Sequence, residues 1–518
     1  MGGQLGFWAI AQEDPNHLAL VTPDGVELPA SEVLAAANQL VHGLRALGLE
    51  RGGTIAVLLP NGAEFIELYL AVAQAGWYLV PINHHLVGPE IAYIVNDSGA
   101  EVFISHERFA EAATAAATEI SVAEDHRFAI GSIPGFRPYA ELTDGQSSEM
   151  PADRAAGNVM NYTSGTTGRP KGVRRALPTG TPEDTGMMGG GMLMLFGLQP
   201  HDNNVHIVGS PFYHTAVLAF ASGALHLGHS LVIMDKWTGE GMLERIEHHR
   251  VTNSHMVPTQ FHRLLALPDD VKARYDVSSL RHMIHAAAPC PVDTKRKMIE
   301  WWGFVIDEYY AASEGGGSYV LAEEWLKKPG TVGRAWPNAE LAIYDDDGNR
   351  LSEPHQIGTV YMKMPGVTFE YHGDKEKTEK NRRDGFFTVG DVGELDEDGW
   401  LFLRDRKIDM IISGGANIYP SEIESVLQEC PQVADVAVFG VPNDDWGEEV
   451  KAVVEPAPGE EAGPALAETI FQFCNGRLAR FKMPKSIDFT TEMPRDPNGK
   501  LYKRKLRDPY WAGRSTAI

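Results

Sequence analysis

Apolar runs of strand length alternate with stretches of helical spacing through roughly the first four hundred residues. Thr54-Ile-Ala-Val-Leu-Leu59 predicts a buried strand, and Ala63 to Ala75 follows with apolar side chains at three- and four-residue intervals. Glu101-Val-Phe-Ile-Ser105, Asn204-Val-His-Ile-Val-Gly209 and Ser230-Leu-Val-Ile-Met234 predict further strands. Strands alternating with helices predict mostly parallel α/β layers. No repeat of roughly 20–50 residues recurs, which excludes a solenoid.

After about Leu403 the pattern changes. Met410-Ile-Ile412 and the turn Ser413-Gly-Gly415 lead into Pro420-Ser-Glu-Ile-Glu424, where Ser421 and Glu424 have capping-box spacing and Ile423, Val426 and Leu427 share a helical face. Strand-like Asp435-Val-Ala-Val-Phe-Gly440 and Glu449-Val-Lys-Ala-Val-Val454 come next, and a Pro/Gly/Glu stretch, Pro456 to Pro464, precedes another helix. This predicts a compact α+β domain, with a boundary near Arg404.

The 518 residues are 43% hydrophobic, 22% charged and 9% aromatic, which excludes a disordered chain, a disulfide mini-scaffold and a fibrous repeat. With 45 Lys and Arg against 70 Asp and Glu, the net charge of −25 disfavours nucleic acid and anionic membranes as partners. One region opposes that trend. Arg477 to Ile518 carries 11 Lys and Arg against 4 Asp and Glu, so the tail is +7 and the remainder −32. It is either a solvated basic surface or a module that closes over a polyanion.

Cys290, Cys430 and Cys474 are far apart and form no CxxC pair, so a reducing, cytoplasmic setting is expected. The N-terminus lacks a basic-then-apolar leader pattern. The uncharged stretch Val217 to Met234 is interrupted by Ser222, His226, His229 and Ser230, and reads as core helix and strand without a membrane span.

The most informative segment is Tyr162-Thr-Ser-Gly-Thr-Thr-Gly-Arg-Pro-Lys-Gly172. Glycines let backbone N–H groups converge on an anion, hydroxyls donate to phosphate oxygens, and lysine adds a mobile positive charge. It is not a Walker loop, because Pro170 precedes Lys171 and Gly172 follows it. Gly315-Gly-Gly317 lacks the third spaced glycine of a dinucleotide fingerprint.

At this loop the sequence resembles the adenylate-forming (AMP-binding) superfamily, in its acyl-CoA synthetase branch. Further segments resemble the family's in order: Ser210-Pro-Phe-Tyr-His214 beside the acyl pocket, Ala286-Ala-Ala-Pro289 against adenine, Tyr310-Ala-Ala-Ser-Glu314, Thr388-Val-Gly-Asp391, the junction Asp405-Arg406 with Ser413-Gly-Gly415, and Pro494-Arg-Asp-Pro-Asn-Gly-Lys500. The resemblance covers roughly residues 10 to 510. It implies a large multi-subdomain N-terminal α/β domain over 1–403 and a small mobile C-terminal α+β domain over 404–518 that swings about the junction between two half-reactions.

The implied reaction joins a small-molecule carboxylic acid to coenzyme A through acyl-AMP, using ATP and Mg2+. By the resemblance, Thr163, Ser164, Gly165, Thr166, Thr167, Gly168 and Lys171 cradle the phosphates, Glu314 brings in Mg2+ and Ser313 touches phosphate. Ala287, Ala288 and Tyr310 lie against adenine, Asp391 takes the ribose hydroxyls and Arg406 the AMP phosphate or ribose. Lys500 would drive adenylation, Gly414 and Gly415 line the CoA path, and His214 and Gly315 border the acyl site. Read alone, Tyr310 is a core aromatic, Asp391 a turn aspartate, and Lys500 one lysine of a basic tail.

Two positions depart from the family pattern. Ala311 stands where a glycine is usual, and Ile408 stands at the usual pivot, leaving Lys407 or Asp409 for that role. The residues beside Phe212 are Tyr213, His214 and Thr215, with no aspartate for a substrate amine. Gly189-Gly-Gly191, Gly315-Gly-Gly317 and Met187, Met188, Met192 and Met194 suggest a roomy apolar pocket, hence a fatty or polycyclic, terpenoid-like acid. The alternatives are an acyl-AMP ligase loading an acyl carrier protein and a non-catalytic acyl- or nucleotide-binding protein. A homodimer is left open.

Overall fold

A computed structural model of the chain describes residues 4–163, 171–287, 290, 292–311, 316–345, 347–364, 370–371, 379, 381–406, 411–418, 420–428, 430–457, 459–494 and 503–512. Two parallel sheets form the N-terminal layers. One is parallel throughout, in the order Arg137–Pro138, Arg127–Ile130, Val102–His106, Thr54–Leu58, Tyr78–Pro81, Asn158–Val159. Its centre, Thr54–Leu58, is buried at every position, as a strand covered on both faces must be. The helix Ala63–Ala75 has the bounds its spacing predicts.

The second sheet places Ile306–Ala311, His282–His285, Asn253–Met256, Val205–Val208 and Ser230–Ile233 side by side, all parallel. The antiparallel strand Gly317–Val320 extends one side. Val217 to Met234 resolves into the helix Thr215–His226 and the strand Ser230–Ile233. Among the described residues no helix is long and apolar enough to cross a membrane.

The stretch from Glu340 to Arg406 departs from the parallel expectation. Glu340–Tyr344, Gly358–Lys363, Asp391–Leu395 and Leu401–Arg406 form an antiparallel sheet. Connections such as Asp396 to Trp400 hold a tight turn and no crossover helix, and antiparallel neighbours need none.

Beyond it, Ile411–Ser413 and Ala416–Ile418 make a hairpin, and Val433–Asn443 pairs antiparallel with Gly447–Pro456 along its whole length. Ser486–Phe489 adds a parallel strand, and the helices Pro420–Gln428 and Pro464–Cys474 close this unit's own apolar core. Cys430 and Cys474 are free thiols inside that core.

Candidate active site

In an open parallel sheet, ligands collect outside the carboxyl ends of the strands. Here Val205–Val208 runs on toward His214, Asn253–Met256 to Val257, His282–His285 to Ala286 and Ala287, and Ile306–Ala311 to the segment 312–315. Three of the sequence motifs, those beginning at Ser210, Ala286 and Tyr310, thus begin at one edge. Ala287 has φ +71, a left-handed turn that an alanine adopts only at a cost, and Ala286 is buried beside it.

Tyr310 is buried on the last turn-ward positions of its strand, and its hydroxyl donates to Oδ2 of Asp391 at 2.6 Å. Asp391 is buried at the start of Asp391–Leu395, and Arg406 stands directly opposite it in the antiparallel ladder. Thr388 orders this entry: its Oγ1 donates to the Val360 carbonyl and accepts from the Gly390 N–H. The structure therefore brings Tyr310, Asp391 and the Arg406 backbone together.

Thr163 and Lys171 are backbone partners across the antiparallel ladder of Asn161–Thr163 and Lys171–Arg174. Ser164, Gly165, Thr166, Thr167, Gly168, Ala288, Ser313, Glu314, Gly315 and Lys500 lie outside the described residues, as do Lys407, Ile408 and Asp409. The helix Lys503–Trp511, just beyond Lys500, is anchored by Lys503 Nζ on Glu424 Oε1 at 2.7 Å.

His214 is the N-cap residue of Thr215–His226. Burial, aided by nearby His85, pushes its pKa down to about 4. His255, whose Nε2 lies 3.0 Å from the Tyr309 hydroxyl, is pushed down to about 3 by burial and then by His206 and His214. Phe220 packs against both neighbours, with ring centroids 5.0 Å from His255 and 5.5 Å from Tyr309. Phe220, Tyr309 and His255 are all buried, so the packing behind His214 is aromatic and imidazole-rich, and the His214 and His255 imidazoles are uncharged near neutral pH.

The methionine pocket needs correction. Met187, Met188 and Met194 lie on the helix Pro182–Leu195 with 44%, 78% and 41% exposure, and only Met192 packs toward the core. Of the run, Gly190 serves helix packing instead: a Cβ on it would stand 2.6 Å from the Leu227 side chain, and on the facing helix one on Gly223 would stand 3.0 Å from the Gly189 carbonyl.

Gly414 and Gly415 form the turn of the hairpin with φ +58 and +79. A Cβ on Gly414 would fall 2.2 Å from the Trp446 ring, and one on Gly415 3.3 Å from Val257. The glycine hairpin therefore sits against the strand edge that carries the other motifs.

Two groups escaped sequence reasoning. Lys295 Nζ lies 2.6 Å from Glu308 Oε2, both buried, with His285 Nε2 3.5 Å from the same oxygen beneath the Ala287 turn. Glu90 and Lys482, 392 residues apart, also pair. Only the basic character of the tail hinted at Lys482.

A family model described as AMP-binding enzyme matches residues 7–372, and one described as AMP-binding enzyme C-terminal domain matches residues 422–500. The chain is 32% identical over 514 residues to the long-chain-fatty-acid–CoA ligase FadD13 of Mycobacterium tuberculosis, covering 98% of each. It is 32% identical over 511 residues to feruloyl-CoA synthase of Amycolatopsis sp, covering 97% of this chain and 98% of that one. It is 30% identical over 509 residues to the fatty acid–[acyl-carrier-protein] ligase ScoC of Streptomyces coeruleorubidus, covering 97% and 95%.

Among solved structures, the amide bond synthetase McbA from Marinactinospora thermotolerans superposes with TM-score 0.84 at 26% identity, covering 98% of this chain and all of that one (100%). A double mutant of o-succinylbenzoate CoA synthetase (MenE) from Bacillus subtilis, bound with its product analogue OSB-NCoA, gives 0.82 at 26% identity, covering 98% of each. The same synthetase in complex with its acyl-adenylate intermediate OSB-AMP gives 0.66 at 25% identity, covering 98% and 99%.

Proposed function

The chain belongs to the AMP-binding enzyme family and is an AMP-forming acid–CoA ligase, and on that premise we propose that its substrate is an apolar organic acid, fatty or polycyclic and terpenoid-like. The carrying observation is the wall of Phe220, Tyr309, His255 and His214. Its imidazoles are held neutral by burial, and Phe220, Tyr309 and His255 are themselves buried, so the surroundings of His214 are apolar and aromatic and hold no fixed charge for a substrate amine. The relatives act on acids as different as a fatty acid and ferulate at equal identity, so overall likeness does not select the acid.

In the first half-reaction a carboxylate oxygen bonds to the α-phosphorus of ATP, the bond to the β-phosphate oxygen breaks, and pyrophosphate leaves. In the second, the CoA sulfur bonds to the acyl carbon, the bond to AMP breaks with its electron pair, and the thiol proton passes to solvent. Both demand positioned charge more than covalent help from the protein.

Asp391, held by Tyr310, takes the ribose hydroxyls, and Arg406 opposite it the AMP phosphate or ribose. Ala287 and Ala288 leave room for adenine, with the Tyr310 ring as its other face. Thr163, Ser164, Gly165, Thr166, Thr167, Gly168 and Lys171 cradle the phosphates, with Ser313 alongside. Glu314 supplies the hard oxygen that Mg2+ requires, and the ion when bound neutralises phosphate charge. Lys500 offsets the repulsion between carboxylate and α-phosphate. Gly415 and Gly414 line the thiol's approach, and His214 and Gly315 border the acyl chain. The part that holds the nucleotide, drawn from the sequence as 1–403, runs to the end of the strand Leu401–Arg406, and the part beyond it brings Lys500 and then the glycine hairpin to the nucleotide.

The test is pyrophosphate release with ATP–Mg2+ across acetate, fatty, aryl and polycyclic acids, each with and without CoA. CoA-dependent turnover on fatty or polycyclic acids with little on acetate is expected, and a preference for acetate or amino acids would overturn the substrate reading. The likeness to ScoC keeps carrier-protein loading as the second reading, and pyrophosphate release indifferent to CoA would favour it. Lys500→Ala should cut pyrophosphate formation by about 10²–10³, the usual loss for one charge-stabilising group. Full activity would remove Lys500 from its role.

A further inference from the structure

We infer that the Glu90–Lys482 ion pair is a latch that holds the C-terminal unit in the arrangement used for thioester formation. The inference rests on the ligase reading above. This chain superposes better on the synthetase bound with a CoA product analogue than on the same synthetase bound with acyl-adenylate, at equal coverage of this chain. Contacts across the two units here therefore belong to the first arrangement.

Those contacts fall in two patches. In one, Gly415 meets Val257, and the Arg263 guanidinium lies 4.7 Å from the centre of the half-exposed Trp446 ring. In the other, the turn after the helix Pro464–Cys474 inserts into the N-terminal part. Ala479 is fully buried within the core that contains Ile91, Val95 and Met160, and Phe481 packs against that core and the C-terminal one together. Lys482 Nζ then reaches Glu90 Oε1 at 3.2 Å, with the side chains only 7% and 13% exposed. Glu90 is itself fixed, because its Oε2 accepts from the Val87 N–H at 3.1 Å, at the start of the helix Gly88–Asp97.

A rotation of the C-terminal unit breaks this patch and returns both charges to water. Removing one charge forfeits the Glu90–Lys482 attraction, and its compensation for burial, only while the units are docked as they are here. The pair thus biases an equilibrium between arrangements, and its loss shifts population without touching substrate. Glu90 and Lys482 are positioning residues.

The experiment separates the half-reactions in the full-length enzyme, using the acid on which the wild type turns over fastest. Glu90→Gln keeps the acceptor for the Val87 N–H, and Lys482→Met keeps much of the stem. Each should slow the transfer of preformed acyl-AMP to CoA at least tenfold, while single-turnover pyrophosphate release stays within twofold of wild type. The exchange of charges, Glu90→Lys with Lys482→Glu, should recover a large part of the loss. Equal slowing of both half-reactions, or an unchanged CoA step, would overturn the latch while the ligase reading stands. A wild-type enzyme that releases no pyrophosphate with any acid would overturn the ligase reading and the latch with it.

Discussion

Two glycine runs that the sequence assigns to ligand space, one to the CoA path and one to the acyl pocket, do different work in the structure. Gly414 and Gly415 turn a two-residue hairpin with positive φ, under a tryptophan that leaves no room for a Cβ. Gly189, Gly190 and Gly191 continue a regular helix, where only the middle residue is pressed against a neighbour. A glycine run is therefore informative when conformation and contact both demand it, and the second run meets only part of that test.

The hairpin should break first. In Gly414→Val the side chain would enter the Trp446 ring and hold a left-handed backbone, a combination that costs several kcal/mol unless the turn rebuilds. Because the turn lies on the edge where the motifs converge, CoA transfer should fall by about a hundredfold or more, while pyrophosphate release falls far less. Rapid-quench assay of each half-reaction checks this. A variant with normal CoA transfer would show that the turn only closes a hairpin.

Helix packing should respond next, and in stability more than in chemistry. Gly190→Ala places a methyl 2.6 Å from the side chain of Leu227, which is fully buried and cannot swing away. Overpacking of this kind costs about 1–3 kcal/mol, offset by up to ~1 kcal/mol of helix propensity. Thermal unfolding should report a net loss of stability, with turnover at low temperature retained. An unchanged or raised midpoint would mean that the two helices slide apart without penalty.

This contrast also marks how far the sequence could be read. Ala63–Ala75 was predicted to the residue because its apolar spacing is local. Asp391 and Arg406 were named separately from motifs, and a short antiparallel connection sets them opposite one another. The pairing of Glu90 with Lys482 left no trace, because nothing local marks two charges that meet across 392 residues. Lys295 and Glu308 were equally silent, since burial of a charge is decided by the layers above it. The methionines misled for a related reason. Pro182–Leu195 mixes glycine and methionine on every side, so no stripe tells which face its neighbour covers, and composition alone reads the exposed face as a pocket wall.

The smallest effect is the most discriminating. Nothing lies within 4 Å of a Cβ built on Gly189, and its backbone is helical. Gly189→Ala should then gain about 0.5–1 kcal/mol, because alanine loses less backbone freedom than glycine on entering a helix. It should leave the preference among acids unchanged, since this face of the helix is open to solvent. If Gly189→Ala instead alters which acid is activated, the face becomes a pocket wall when substrate binds, and the original reading of the methionines returns. A gain in stability at constant acid preference would fix this run as helix surface and leave the acyl wall to Phe220, Tyr309 and the neutral histidines.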